Sequence, residues 1–266
     1  MDLKVKPVSG QRSDTVKSIE KALNVLLLFS PQERELHHSE IARRMGWTTS
    51  TTSRMLNTLV KCNFLIKNAE QGTYMLGNTL YYLGQIADVH VNLKSIGRPV
   101  LERISKETQE TVHIYLRSGI YRICYAQVES EQEIKQSSVI GGMEPIWEGA
   151  TGCVLLSYAT EEEREAVLRT VQAKKPTLDL QPLRDKMEPT RRAGFAQNHN
   201  ENHVGCVAAP IYDADGSVSA CLGISTPEFR FPDDPSEFTR LVVEGAEEIS
   251  RQMGYTPARR KQSLPQ

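Results

Sequence analysis

The sequence predicts an α+β protein in two parts, an N-terminal winged helix-turn-helix domain and, beyond a linker helix, a larger domain built on an antiparallel sheet. Three observations carry this. Short helical segments run to residue 61 and are followed at once by a small hairpin. Past Thr108 the apolar period changes from that of helices to that of strands, and strand pairs then alternate with helices. Charge is divided as well: the 266 residues carry a net -1, yet residues 1–92 hold eleven Lys or Arg against eight Asp or Glu. A positive N-terminal end fits a polyanion-binding domain joined to a part that does something else.

In chain order, residues 1–17 are polar and aperiodic and read as a flexible arm. From Ser18, which suits an N-cap, Ile19, Ala22, Leu23, Leu26 and Leu27 recur at the spacing of one buried helical face, and Pro31 is expected to stop that helix. A second short helix opens at Ser39 and buries Ile41, Ala42 and Met45. Gly46 supplies the turn to a third helix beginning near Thr48, which gives a helix-turn-helix in outline. Phe64–Ile66 and Thr73–Leu76, joined by the polar turn 67–72, form the hairpin that makes the wing. Residues 78–91 continue as an apolar helix, and Pro99 argues for a break or a new first turn near Gly97. Beyond it, Val112–Leu116 and Tyr121–Gln127 pair as a hairpin, with Lys135–Ile140 as a candidate third strand. Helices are expected over 149–158, 161–172 and 183–192. A second hairpin over 205–225 carries an Asp-Gly turn signal, and a closing helix spans 235–253. The expected boundaries are an arm over 1–17, a DNA-binding domain over 18–77, a linker helix over 78–92, the sheet domain over 93–255 and a loose basic tail over 256–266.

Composition narrows the class further. With 39% hydrophobic and 24% charged residues the chain can bury a real core. No apolar run approaches the ~20 residues of a membrane span. The first residues, with Asp2, Lys4 and Lys6, lead into no apolar signal region, so a cytoplasmic protein with no membrane partner is expected. Five widely spaced cysteines form neither a zinc pair nor a disulfide framework and read as reduced thiols. No cofactor is expected.

The third helix is the richest stretch. Successive side chains step by about 100°, so Ser50, Arg54, Asn57 and Lys61 share one polar stripe, while Met55, Leu56, Leu59 and Val60 face the other way. Arg and Asn suit base edges in a major groove, short hydroxyls suit bases or phosphates, and Lys61 suits the backbone. On its own the stripe equally fits an ordinary amphipathic surface helix. The helices and turn before it, the wing after it and a family resemblance on both sides together decide for a DNA reader, with Thr49, Ser50, Thr51, Ser53, Arg54 and Asn57 at bases or adjacent phosphates. Lys61, Lys67 and Gln71 then anchor the backbone and wing, and Arg43 meets the DNA backbone from the preceding helix. Paired readers about one helical turn apart call for a dimer or tetramer on a roughly palindromic double-stranded operator.

Four segments carry a resemblance: Ser18-Ile19-Glu20-Lys21-Ala22-Leu23, Ser39-Glu40-Ile41-Ala42, the run Thr48–Leu56, and Gly72-Thr73-Tyr74-Met75-Leu76-Gly77. Together they resemble the DNA-binding domain of IclR-type bacterial transcription regulators. Gly194-Phe195, Gly205–Asp213, Asp215-Gly216 and Leu222-Gly223-Ile224-Ser225 resemble the second domain of that family, which is GAF-like and binds a small effector, often an organic or aromatic acid from a degradative pathway. The resemblance therefore implies a ligand-responsive regulator of a catabolic operon and not an enzyme. It also implies that residues 145–152, 198–206 and 222–225 line the effector pocket, with Trp147, Gly149, Ala150, Thr151, Asn198, Cys206, Gly223 and Ser225 as the candidate ligand residues.

Each of those segments has a physical rationale. Gly149-Ala150-Thr151-Gly152 stands where a helix begins, so free backbone N–H groups and the positive dipole end suit a carboxylate. Ser225 offers a hydroxyl, and Cys206 a soft wall. The chain also departs from the family pattern. Trp147 stands where His is common, Asn198 where a ligand-contacting Asp is frequent, Gly223 where some members have Ser, and Gly152-Cys153 where Gly-Lys is common. Trp147 adds a flat surface suited to an aromatic ligand, whereas Glu148 facing inward would repel a carboxylate. The competing reading is an enzyme or metal-dependent sensor using Cys206 with His199 and His203. No third partner stands at a sensible spacing for it.

Overall fold

The computed structural model describes residues 16–30, 33–87, 91–201 and 203–256, without the side chains of 85–87, 91, 92 and 199–201. Most of the expected arm and tail therefore lies outside the described residues, as does Pro31. The chain divides into two compact units, Met1–Val91 and Asn92–Gln266.

The first unit contains α1 (Lys17–Leu26), β1 (Leu36–His37), α2 (His38–Met45), α3 (Thr49–Lys61), β2 (Leu65–Asn68), β3 (Thr73–Leu76) and α4 (Asn78–Ala87). Local sequence sets the central turn. Gly46 ends α2 at φ 66°, a left-handed conformation that glycine adopts without Cβ strain. Thr48 then caps α3, its hydroxyl accepting the Thr51 N–H at 3.4 Å. Leu56 and Leu59 turn inward onto Ile41, Val25, Leu36, Leu65 and Tyr74, and each fully buried aliphatic side chain contributes about 1.5–3 kcal/mol. The hairpin β2–β3 gains a third strand in β1, giving the antiparallel order β1-β3-β2. The two-residue β1 has no period to read and escapes sequence reasoning.

α1 departs from expectation in two ways. Its N-cap is Val16, not Ser18, with no side-chain capping bond. Its expected buried face is split: Val25 is buried and Ala22 and Leu26 are half-buried, but Ile19, Leu23 and Leu27 are more than half exposed, as is Val16. The apolar period is real, but the small core behind α3 accommodates only one edge of it. Tyr81, Tyr82 and Leu83 of α4 are exposed too.

The second unit runs α5 (Val91–Thr108), β4 (Thr111–Ser118), β5 (Tyr121–Val128), β6 (Met143–Pro145), α6 (Gly149–Ser157), α7 (Glu161–Lys174), α8 (Gln181–Ala193), β7 (Ala196–Glu201), β8 (Val204–Ile211), β9 (Ala220–Pro227) and α9 (Ser236–Gln252). Six strands form one antiparallel sheet in the order β6-β5-β4-β9-β8-β7. Strand alternation supplies two cores. Val112, Ile114, Leu222 and Ile224 face α5 and α9 together with Val100, Ile104, Val242 and Ile249. Tyr115, Cys124, Cys206, Ala208 and Cys221 face α6–α8. The sheet domain is thus a three-layer sandwich, and the residues on its α6 face become the site.

Three expectations change here. α5 runs unbroken through Pro99; Val100, Leu101 and Ile104 bury as one face beyond it, with Leu93 buried before it, and that packing outweighs the lost N–H. The third strand is Met143–Pro145, paired with Tyr121–Ile123, not Lys135–Ile140. That earlier segment is tied by side-chain bonds instead, such as Tyr115 OH to Ser138 Oγ at 2.7 Å. β7, polar along its length, is missed by an apolar criterion because it is the sheet's edge.

Candidate DNA-reading helix and effector site

On α3, Thr49, Ser50, Thr51, Arg54, Asn57 and Lys61 are all exposed. At the N-terminal end the hydroxyls organise one another, Thr48 Oγ1 lying 3.0 Å from Thr51 Oγ1 and 3.2 Å from Ser50 Oγ. Ser53 stands apart from them: it is half-buried, and its hydroxyl pairs with His38 Nε2 at 2.9 Å, which ties α3 to the start of α2. His38 is itself half-buried there. Arg43 is exposed but ion-paired with Glu40 at 2.6 Å, and Arg44 bridges Glu33 and Glu40. Hydrogen bonds from Arg43 and Arg44 pull the Glu40 carboxyl down to about 2. A phosphate at Arg43 must therefore compete with an existing carboxylate, whereas among the described residues no carboxylate pairs with Arg54 or Lys61. In the wing, Lys67 is exposed with its Nζ 5.9 Å from the centre of the Tyr74 ring. Gln71 accepts from Asn68 Nδ2 at 3.2 Å, which shapes the turn.

In the sheet domain the first turn of α6 begins at Gly149, as the sequence predicts. The Ala150 N–H there is already engaged. Asn198 Oδ1 accepts the Ala150 N–H at 2.7 Å, while Asn198 Nδ2 donates to the Val204 carbonyl at 3.1 Å. Burial pushes the Cys206 thiol up to about 11, against the smaller opposing pull of Ser225 opposite it on β9. Gly149, Ala150, Thr151, Asn198, Cys206, Gly223 and Ser225 thus converge on one end of α6, across β7, β8 and β9. Trp147, just before the helix, is half-buried and packs on the apolar core under α6. Glu148 occupies the N-cap position without a side-chain capping bond. A cavity of about 330 Å³ is lined by Asn198 together with Lys186, Gln197, Phe231 and Asp233, and by none of the other candidate ligand residues.

Four residues of this region were missed from sequence. His113 is buried, with Nε2 2.7 Å from Ser225 Oγ. Burial lowers its pKa to about 4, so the ring is neutral. Arg122 donates through Nε and Nη2 to Glu144 Oε2 at 3.2 and 2.8 Å, and through Nη1 to the carbonyls of Pro145 and Glu148. Tyr115 OH lies 2.5 Å from Glu144 Oε1. Burial pushes the Glu144 carboxyl up, but the Arg122 charge and the hydrogen bonds from Tyr115, Arg122 and Ser138 outweigh it and hold the pKa below its ordinary value. The signal available in the sequence was parity. His113 and Tyr115 alternate with Val112 and Ile114, which places both polar side chains on one face of β4.

The arrangement does not favour catalysis by Cys206. The thiol is protonated at neutral pH, whereas the nucleophile is the thiolate. His203 is exposed and bonded to Glu228 at 3.1 Å, and the His199 side chain lies outside the described residues. Among the described residues no three metal-ligating side chains cluster, and no helix is long and apolar enough to cross a membrane.

A winged helix-turn-helix with an open polar reading face, on one chain with a separate small-molecule-type domain, defines a ligand-responsive DNA-binding transcription regulator. Comparison with known proteins agrees on both halves. Residues 86–251 match the family model for the bacterial transcriptional regulator IclR C-terminal domain, and residues 18–69 match the IclR helix-turn-helix domain. The chain belongs to the IclR family of bacterial transcription regulators. It is 29% identical over 252 residues to the HTH-type transcriptional regulator KdgR of Dickeya chrysanthemi, covering 92% of this chain and 82% of that one. It is also 29% identical to the acetate operon repressor of Salmonella typhimurium, covering 94% and 93%. Among solved structures, Thermotoga maritima IclR superposes with a TM-score of 0.71 at 28% identity, over 90% of this chain and 99% of that one. An IclR homologue from Microbacterium hydrocarbonoxydans, solved with 4-hydroxybenzoate, shares the fold with a TM-score of 0.75 at 22% identity, over 89% and 98%.

Proposed function

We propose that this regulator works in the bacterial cytoplasm as a dimer or tetramer on a roughly palindromic operator of a catabolic operon, and that a small organic acid bound at the N-terminal end of α6 alters its DNA affinity. The observation that carries the reading is the exposed polar face of α3, with Arg54, Asn57 and Lys61 on it and Thr49, Ser50 and Thr51 at its entry. Arg54 and Asn57 read base edges; Lys61, Lys67 and Gln71 hold the backbone, and Arg43 does so if a phosphate displaces Glu40. Ser53 contributes by fixing α3 on α2 through His38. In the effector domain Trp147 supplies an apolar wall, and Gly149, Ala150, Thr151, Asn198, Cys206, Gly223 and Ser225 surround the ligand's polar group. 4-Hydroxybenzoate, the ligand of the Microbacterium homologue, is a natural first probe.

Oligomerisation is supported by the apolar row Val16, Ile19, Leu23 and Leu27 along α1 and its two caps, exposed in the single chain. Such a row has the helical spacing of a partner face. Leu23→Asp is therefore expected to leave the domain folded, because Leu23 is 54% exposed, while shifting sedimentation from dimer to monomer and lowering specific operator affinity in parallel. A variant that stays oligomeric and keeps wild-type operator affinity would remove α1 from the interface.

A further inference from the structure

Among the described residues two buried side-chain nitrogens have no hydrogen-bond partner, His113 Nδ1 and Arg117 Nε. Arg117 spends another nitrogen on Glu163 at the domain surface. His113 is different: it is 3% exposed and lies in the wall of the candidate effector site. Leaving a ring nitrogen unpaired in a core costs stability, and native proteins retain such groups mainly where something else uses them.

The ring's position explains how Gly223 serves the site. A Cβ on Gly223 would lie 2.5 Å from His113 Cε1, 3.1 Å from His113 Nδ1 and 3.2 Å from Thr151 Cγ2. The imidazole therefore occupies the room that the glycine leaves open on β9, where the Thr151 side chain of the first turn of α6 also comes close. Ser225 Oγ lies 2.7 Å from His113 Nε2, and Cys206 stands opposite Ser225 on the neighbouring strand. When the Ser225 hydroxyl donates to Nε2, the neutral ring carries its proton on Nδ1, a donor with no partner among the described residues.

We propose that His113 is an effector-contacting, specificity-determining residue, whose Nδ1–H donates to a carboxylate oxygen of the ligand seated against the first turn of α6. This rests on the reading of the second domain as an effector-binding domain. The same carboxylate would take over the Ala150 N–H, where Asn198 Oδ1 now stands in for a ligand oxygen. The Arg122 guanidinium adds positive potential there, since its Nη1 would lie 3.6 Å from a Cβ on Gly149. Its charge is shared with Glu144, so the site suits one carboxylate and not a dianion.

Two amide substitutions separate this role from a structural one. The shorter amide of His113→Asn carries its nitrogen near the place of Nδ1, so that variant keeps the ligand donor. The longer amide of His113→Gln carries its nitrogen near the place of Nε2, so that variant keeps the Ser225 bond. The probes are pyruvate, benzoate and 4-hydroxybenzoate, each paired with its neutral amide, titrated calorimetrically into the full-length protein. We expect at least one acid to bind, its amide to bind more weakly, His113→Asn to stay within about threefold, and His113→Gln to lose about tenfold or more. His113→Gln binding like the wild type, or no acid binding, overturns the proposal. Should both variants fail to fold, nitrogen NMR of the wild type decides: the His113 δ1 resonance moves on saturation with the acid, and an unmoved resonance overturns the proposal. Operator binding by the ligand-free wild type is read separately, so loss of this inference leaves the DNA-binding reading intact.

Discussion

Arg54→Ala lowers affinity for the specific operator by about ten- to a hundredfold at fixed salt, the effect of losing one good base-edge contact worth ~1–3 kcal/mol. The substitution does not touch the core, because Arg54 is exposed on the face of α3 opposite Leu56 and Leu59. Circular dichroism and thermal melting should therefore match the wild type. Lys61→Ala provides the contrast. If Lys61 meets only phosphate, its loss weakens specific and random DNA about equally and flattens the salt dependence by one contact. An Arg54 variant that binds operator within about twofold of wild type would show that α3 does not read the bases.

The second large effect is on stability. Arg122→Ala leaves the half-buried Glu144 carboxylate without its cation and takes one donor from each of the carbonyls of Pro145 and Glu148. Removing one partner of a buried pair costs about 3–5 kcal/mol. Glu144 keeps about a third of its side-chain surface in solvent, so about 2–4 kcal/mol is the better expectation once screening is counted. Chemical denaturation with tryptophan emission measures it, and Trp147 is placed to report on this unit. The pair also has a pH signature. Because the Glu144 pKa is lowered in the fold, its contribution is fully present above the ordinary carboxyl value of 4.5 and is lost as pH falls through the folded value. Arg122→Ala should lose that acid-range component, whereas a variant with unchanged stability and unchanged acid sensitivity would show the pair to be idle.

What the sequence disclosed follows from how local each feature is. Gly46, Thr48 and the 3.6-residue period of α3 act within a few residues of one another, and the reading helix appears where the pattern places it. The start of α6 at Gly149 was legible in the local pattern. The gathering of Asn198, Cys206, Gly223 and Ser225 around it was legible only through family resemblance, since three further strands bring them together. The bond between His113 and Ser225 spans 112 positions, and no local pattern encodes it. Arg122 and Glu144 lie 22 apart on neighbouring strands, set by a register that a short β6 hides. Which side of α1 meets solvent was equally invisible, because period reveals that a face exists and not what covers it.

These features converge on one claim, that occupation of the α6 site changes how well α3 holds its operator. A ligand shifts such an equilibrium only through unequal affinity for the two states. Fluorescence anisotropy of the DNA upstream of the gene, titrated with full-length protein at fixed salt with and without a saturating small carboxylate, measures that directly. A change in operator affinity of about fivefold or more, in either direction and absent with the matching amide, is the predicted result. Identical operator affinity at acid concentrations that saturate the effector domain would contradict it.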